Sequence, residues 1–408
     1  MKSNCLKILH TSDWHLGRTL YSKKERVAEH KAFLDWLLHT IELHEIQVLL
    51  IAGDIFDTAA PNSISQKLYY DFLVKVKNTC CQHIIVVGGN HDSPSFLNAP
   101  KDILAALHIS VVGCATNDLS DELIVLTNNN NEAQLIVCGV PFLRERDISR
   151  YAEGENYTDR SIRINENIKK HYAAIAQLAI EKRNELGINI PIIATGHLSV
   201  IGGVRNEDDG VREAYIGNIE AISSDIFPKV FDYVALGHYH VPSMIENHIR
   251  YCGSPIPMGF GEASQTKCVY VLDFSEQIRI DTLPIPVFQK LVSIIGDKDL
   301  IESKLAALKQ TNEPIWLEIA YKSDVLFPNL GAWVTEQVKD SSIEVLKLYN
   351  KRTLSEVLSE NDTSDSLEDL NELDVFNILL NKEELSEQHK DTLRETYQEV
   401  LLGLKIGE

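Results

Sequence analysis

Five short apolar runs in the first 240 residues each end abruptly in a cluster of metal-competent side chains. Run 6–9 leads to Asp13 and His15, and run 48–52 to Gly53-Asp54 with Asp57 three residues on. Run 84–87 leads to Gly89-Asn90-His91-Asp92, run 190–195 to Gly196-His197, and run 233–236 to Gly237-His238-Tyr239-His240. Near-continuous apolar, β-branched runs of this length suit strands buried on both faces. Segments 27–44, 63–77, 99–107 and 161–186 lie between such runs and read as helices, the second with Ser63 as a candidate cap. Strands alternating with helices indicate an α/β layered fold. In such sheets, sites form beyond the carboxyl ends of the strands. Five clusters at five such ends therefore converge if the strands are neighbours, and glycine beside a ligand suits the sharp turn that aims it.

The set holds two Asp, one Asn and four His besides His91, with no Cys. Mixed oxygen and nitrogen donors suit Mn²⁺, Fe or Zn²⁺ and are too nitrogen-rich for a Ca²⁺ or Mg²⁺ cage. Seven donors exceed the need of one ion, so two divalent ions are expected, with Asp54 the natural bridge. Such a pair can hold a phosphate and lower the pKa of a bridging water. His91, next to Asn90, is placed to serve the leaving alkoxide, and Asp92 to orient its ring.

The clusters Asp13-x-His15, Gly53-Asp54, Gly89-Asn90-His91-Asp92, Gly196-His197 and Gly237-His238-x-His240 resemble the calcineurin-like metallophosphoesterase signature in order and residue type. Three longer stretches, 9–17 (LHTSDWHLG), 52–58 (AGDIFDT) and 251–257 (YCGSPIP), are similar to the nuclease subunits of bacterial SbcCD-type DNA-repair complexes. The resemblance spans the whole chain and is strongest over 1–275. It implies an α/β fold with a four-layer αββα metallophosphoesterase core at 1–283. A small α+β capping domain would follow at 284–352, then a linker and C-terminal partner-binding helices at 353–408. It implies one metal position formed by Asp13, His15, Asp54 and His240, and a second formed by Asp54, Asn90, His197 and His238. His91 corresponds to the family's catalytic histidine. Archaeal and eukaryotic relatives carry a second functional histidine where this chain has Asp57, a residue that bacterial members share.

The expected activity is that of a Mn²⁺-dependent DNA phosphodiesterase. The resemblance implies ATP-dependent double-strand exonuclease and single-strand endonuclease action, including hairpin opening, in a homodimer of nuclease subunits. ATP would be hydrolysed by a coiled-coil SbcC-type ATPase partner, since this chain has no GxxxxGK[ST] loop. The alternatives are a small-molecule phosphodiesterase or phosphatase, and a catalytically dead scaffold; the intact donor set argues against the second.

The 408 residues carry 39 Lys and Arg against 59 Asp and Glu, a net charge of −20 that argues against a protein coating nucleic acid or anionic membrane. The excess is uneven. Residues 351–408 hold six basic against fifteen acidic residues, while 1–34 hold seven basic against three acidic. Within that N-terminal segment Arg18, Lys23, Lys24 and Arg26 are candidate contacts to DNA phosphates, or an ordinary solvated face. Trp14 is either a base-stacking group or a packed wedge. His10 reads as packed, and the 253–257 turn as a substrate-side wall or a tight connection. Leu393, Tyr397, Val400, Leu401 and Leu404 form one apolar helical stripe suited to a partner helix or to the chain's own cap. Seven cysteines without a CxxC pair, no apolar leader and no membrane-length apolar run lead to the expectation of a soluble cytoplasmic protein with reduced thiols.

Overall fold

The computed structural model describes residues 6–21, 24–149, 157–204, 221–275, 278–323, 327, 329–350, 380, 390, 393 and 397. The chain divides into two compact units, 1–350 and 351–408.

Two six-stranded sheets form the heart of the first unit. One has the strand order Ile278–Pro284, Cys268–Phe274, Lys7–Thr11, Val48–Ala52, His83–Val87, Ile109–Val112. The other runs Ser243–Glu246, Ile249–Tyr251, Tyr233–Gly237, Ile192–His197, Ala133–Cys138, Leu123–Thr127. The period-2 alternation of strand side chains sorts these residues between layers. Ile8, Val48, Leu50 and Ile85 from the first sheet meet Leu135, Val137, Ile193 and Tyr233 from the second in a core between the sheets. Their neighbours Leu9, Leu49, Ile51 and Val86 face the other way, onto helices Val27–Leu43 and Ser63–Val76. Helix Tyr157–Leu186 covers the outer face of the second sheet through Ile164, Ile168, Tyr172 and Ile175. The layers are therefore helix, sheet, sheet, helix.

Within each sheet the strands that lead to the polar clusters are parallel neighbours: Lys7–Thr11, Val48–Ala52 and His83–Val87 in one, Ile192–His197 and Tyr233–Gly237 in the other. Their carboxyl ends thus lie side by side at one edge of the sandwich. A third sheet of Lys290–Gly296, Ile315–Tyr321 and Ile343–Asn350, all parallel, packs against helices Lys298–Thr311 and Leu330–Val338 around Ile294, Leu317, Ile319 and Ile301.

Two local expectations are corrected, and one of two readings is decided. Asn62, not Ser63, caps the second helix, its side chain accepting from Ser65 N at 2.9 Å. The helix expected over 99–107 is shorter, Lys101–Ala105, and is set off from a preceding turn of helix, Pro94–Asn98, at Pro100, which has no N–H to continue the ladder. Trp14 is wholly buried, bonded to Thr11 Oγ1 at 2.9 Å and packed edge-on against Phe33 and Phe72, so it stacks on no base. Leu50 fills the space between the sheets with no exposed surface. Leu50→Ala is expected to cost about 2–5 kcal/mol, read as a lower urea midpoint at unchanged m-value.

Candidate metal centre

The turns after the strands are bound to one another through the backbone. Asp13 N donates to Gly53 O at 3.0 Å, His15 N to Asp54 O at 3.0 Å and Leu16 N to Ile55 O at 2.9 Å. Asp13, His15 and Asp54 occupy left-handed backbone with φ of 52°, 46° and 50°, and His238 has φ of 101°. For residues with a Cβ such angles cost roughly 1–3 kcal/mol each. They turn the side chains of successive loops toward one point. Gly53 (φ 92°) and Gly237 permit the close approach, since a Cβ on Gly53 would lie 2.2 Å from His197 Nδ1 and one on Gly237 would lie 2.0 Å from Ala52 O.

The seven predicted donors come together. Donor atoms of Asp13, His15 and His240 lie within 4.8 Å of one another, as do those of Asp13, Asp54 and His197. Asn90 Oδ1 joins the second group, 3.0 Å from His197 Nε2 and 3.1 Å from His238 Nδ1. Asp54 stands between the groups, its Oδ2 3.1 Å from His197 Nε2 and 3.6 Å from His15 Nε2. Asp13, His15 and Asp54 are buried almost completely. Burial lifts Asp13 to about 6 against the opposing pull of His197. Burial also pushes Asp54 upward, but the charges of His197 and His15 hold its carboxyl well below the ordinary range. Burial, then the charges of His15 and Lys267, keep His240 well below the usual histidine range and therefore neutral.

This donor set fits divalent cations. His15 Nε2 and His240 Nε2 face each other at 3.1 Å in a buried site, a spacing at which both nitrogens can serve one cation. Two buried carboxylates supply the compensating charge. Asp13, His15, Asp54 and His240 would hold one ion; Asp54, Asn90, His197 and His238 the other.

His91 also lies at this edge, grouped with His15 and Asp54. Its amide donates to Asp54 Oδ1 at 2.9 Å, and its Nδ1 pairs with the backbone carbonyl of Asp57 at 2.8 Å. Here the expectation for Asp92 is corrected. Its carboxylate does not orient the His91 ring; it accepts from Ile55 N, Phe56 N and Gly89 N at 3.2, 3.0 and 2.9 Å. A short acceptor beside three convergent amides is drawn to them before it reaches a ring. Asp92 thereby ties the loop carrying Asn90 and His91 to the loop carrying Asp54.

Arg144 is a further residue of this edge, absent from the sequence-based candidates. Its Nη2 donates to Gly89 O at 3.3 Å and to Asp92 O at 3.0 Å, bracketing Asn90 and His91. It follows strand Ala133–Cys138, a further strand end beside the five that carry donors.

The basic candidates fare differently. Arg26 is corrected outright: it is 1% exposed and forms a fork with Glu29, so it cannot meet DNA. Arg18 pairs with Asp57 at 3.1 Å, and Lys24 pairs with Glu344 and lies over the Trp316 ring. Lys23 lies outside the described residues. His10 is packed as expected, with Nδ1 2.9 Å from Tyr233 OH. Of the apolar stripe, Leu393 and Tyr397 are helical and Leu393 is 42% exposed, while Val400, Leu401 and Leu404 lie outside the described residues.

Comparison with known proteins follows the same lines. Residues 6–242 match the calcineurin-like phosphoesterase family, and residues 287–384 match a family described as the type 5 capsule protein repressor C-terminal domain, SbcD_C. The chain is 35% identical over 406 residues to SbcD of the Escherichia coli K12 nuclease SbcCD, covering 97% of this chain and 98% of that one. The chain belongs to the SbcD family. The SbcD of Rhodobacter capsulatus is 32% identical over 69% of each chain. Among solved structures, a dimetal phosphatase from Danio rerio aligns with 69% of this chain and 98% of its own at 11% identity and a TM-score of 0.38. No helix among the described residues is long and apolar enough to cross a membrane.

The packing of the loops makes the centre intolerant of added volume. A Cβ at Gly89 would stand 2.1 Å from Asp54 Oδ1 and 2.3 Å from Asp54 N. Gly89→Ala must displace the Asp54 carboxylate, and a displacement near 1 Å costs on the order of 10²-fold in rate. Phosphodiester cleavage assayed at saturating Mn²⁺ checks this.

Proposed function

We propose that this chain is the metal-dependent nuclease subunit of an SbcCD-type complex and hydrolyses DNA phosphodiester bonds. The carrying observation is the convergence of two carboxylates, one amide and four imidazoles at one edge of the sandwich. Family membership supports DNA as substrate, because the relatives are named as nucleases. When bound, a pair of divalent ions supplies Lewis-acid charge and a nucleophile at neutral pH.

The chain's own residues do the rest. Asp54 holds the two halves of the donor set together. His91 is oriented by the Asp57 carbonyl and gives a proton to the leaving 3′ or 5′ oxygen. Asp92 and Arg144 keep its loop in place through backbone contacts. Mn²⁺ is the proposed ion, in line with the mixed oxygen and nitrogen donors. We further assign 1–283 as the nuclease core, 284–352 as the cap, and 353–408 as the segment that docks on a coiled-coil SbcC-type ATPase. That ATPase confers ATP dependence on double-strand exonuclease and hairpin-opening activity. The chain acts as a homodimer in the cytoplasm.

The test uses purified chain with Mn²⁺, linear duplex, hairpin and single-stranded DNA, and p-nitrophenyl phosphate esters. DNA cleavage is expected, abolished by chelator. His91→Ala should lower it about 10²–10⁴-fold while Mn²⁺ binding persists. Activity confined to the small esters would overturn the assignment.

A further inference from the structure

Two carboxylates stand behind the first group of donors and belong to none of the seven. His15 and His240 bring Nε2 to Nε2 at 3.1 Å, so their Nδ1 atoms lie on the far sides of the rings. His15 Nδ1 is 3.3 Å from Asp57 Oδ1, and His240 Nδ1 is 3.8 Å from Glu262 Oε1. Neither His15 Nδ1 nor Glu262 Oε1, both buried, has an aligned hydrogen-bond partner. Each carboxylate is in turn held by a basic side chain. Arg18 Nη1 lies 3.1 Å from Asp57 Oδ1, and Lys267 Nζ bonds Glu262 Oε2.

The Glu262–Lys267 pair is the less expected of the two. Its side chains are 0% and 4% exposed. Burying an ion pair costs more than burying apolar groups of the same volume, so the pair calls for a use beyond stability. Its remaining bonds converge on His240 and the turn behind it. Lys267 Nζ donates to His240 O at 2.9 Å and to Ser254 Oγ at 3.1 Å. Ser254 N donates to the same carbonyl at 3.1 Å, and Met258 N donates to Glu262 Oε2 at 3.0 Å. One network thus grips the backbone of His240 and sets a negative charge behind its ring. The 253–257 turn is part of this support.

The second group of donors is backed differently. His197 Nδ1 pairs with a neutral carbonyl, Ala52 O, at 3.0 Å. His238 turns Nδ1 itself inward, to Asn90 Oδ1.

We propose that Glu262 and Asp57 are positioning residues for the first cation, each setting a carboxylate behind the Nδ1 of its histidine, which favours the proton on Nδ1 and so presents Nε2 as the donor. A carboxylate in this role fixes the tautomer and ring angle and raises the basicity of the ligating nitrogen. The first position therefore binds its cation more tightly than the second, whose His197 has only a carbonyl behind it. This rests on the metal-centre reading above.

The test is calorimetric titration of the full metal-free chain with Mn²⁺. Wild type is expected to bind two ions in a tighter and a weaker step. Glu262→Gln and Asp57→Asn should each weaken the tighter step about 10–100-fold and leave the weaker step in place. A general structural defect would weaken both steps and lower the melting temperature of the metal-free protein, which is measured alongside. Glu262→Gln leaves Lys267 without its counter-charge; should that variant not fold, Asp57→Asn, whose side chain is 18% exposed, decides alone. Two steps unchanged from wild type in the folded variants, or loss of both steps together, overturns the inference. Wild type that binds no Mn²⁺ overturns the metal-centre reading itself.

Discussion

The desolvated carboxylate of Asp54 is the constraint around which the rest is arranged. It sits at the end of a central parallel strand, 2% exposed, and a charge in that position is tolerated only when fully paired. The His91 amide meets one oxygen and His197 the other, while the Asp54 carbonyl takes the amide of His15. Three other loops are thereby tied to this one residue, through its side chain or its backbone. The left-handed angles at Asp13, His15 and Asp54 are the cost of bringing them so close. The strain is sustained because the loops are anchored on two sheets with a common, wholly buried apolar layer between them. Stability is stored in that layer and in the helices outside it, and is given up locally at the edge where the donors meet.

The layered fold and the donors were legible because both rest on local pattern. Apolar runs such as 48–52 and 233–236 announce buried strands, and the donors follow each within a few residues. The parallel order that brings the ends together follows from the helical crossovers between runs. What was not legible depends on contacts between distant residues. Glu262 and Lys267 are five apart in an ordinary turn, and nothing in their spacing tells that both are buried behind His240. Arg26 reads as one of a basic cluster, yet Glu29 at i+3 and the Pro257 carbonyl draw it inside. Asp92 sits next to His91 in sequence, but the turn that leaves the histidine half-buried at the edge sends the aspartate toward backbone amides. Edge strands Ile109–Val112 and Leu123–Thr127 were missed because a short or partly exposed strand lacks the continuous apolar signal of a central one.

Asp57 shows how one position can carry two separable tasks. Its carbonyl receives His91 Nδ1, a role any residue type could fill. Its carboxylate lies between His15 and Arg18, a role that depends on the side chain. A histidine at that position would keep the first and lose the second. Such a change would therefore bear on the charge behind His15 rather than on the orientation of His91.

The charge of the chain takes on a more local meaning in this light. Three of the four basic candidates in the N-terminal segment are engaged within the protein. Arg18 is engaged with Asp57, Arg26 with Glu29, and Lys24 with Glu344 and Trp316. Leu20 packs with Phe260, Leu291, Trp316 and Leu346, so the segment following His15 is fastened to the third sheet by apolar and ionic contacts together. These engagements take up the charge of Arg18, Lys24 and Arg26. At −20 overall, long-range electrostatics repel DNA, and the repulsion weakens with salt. Attraction at the edge of the sandwich must then be short-ranged. Divalent charge held by the donor set would supply it at that edge.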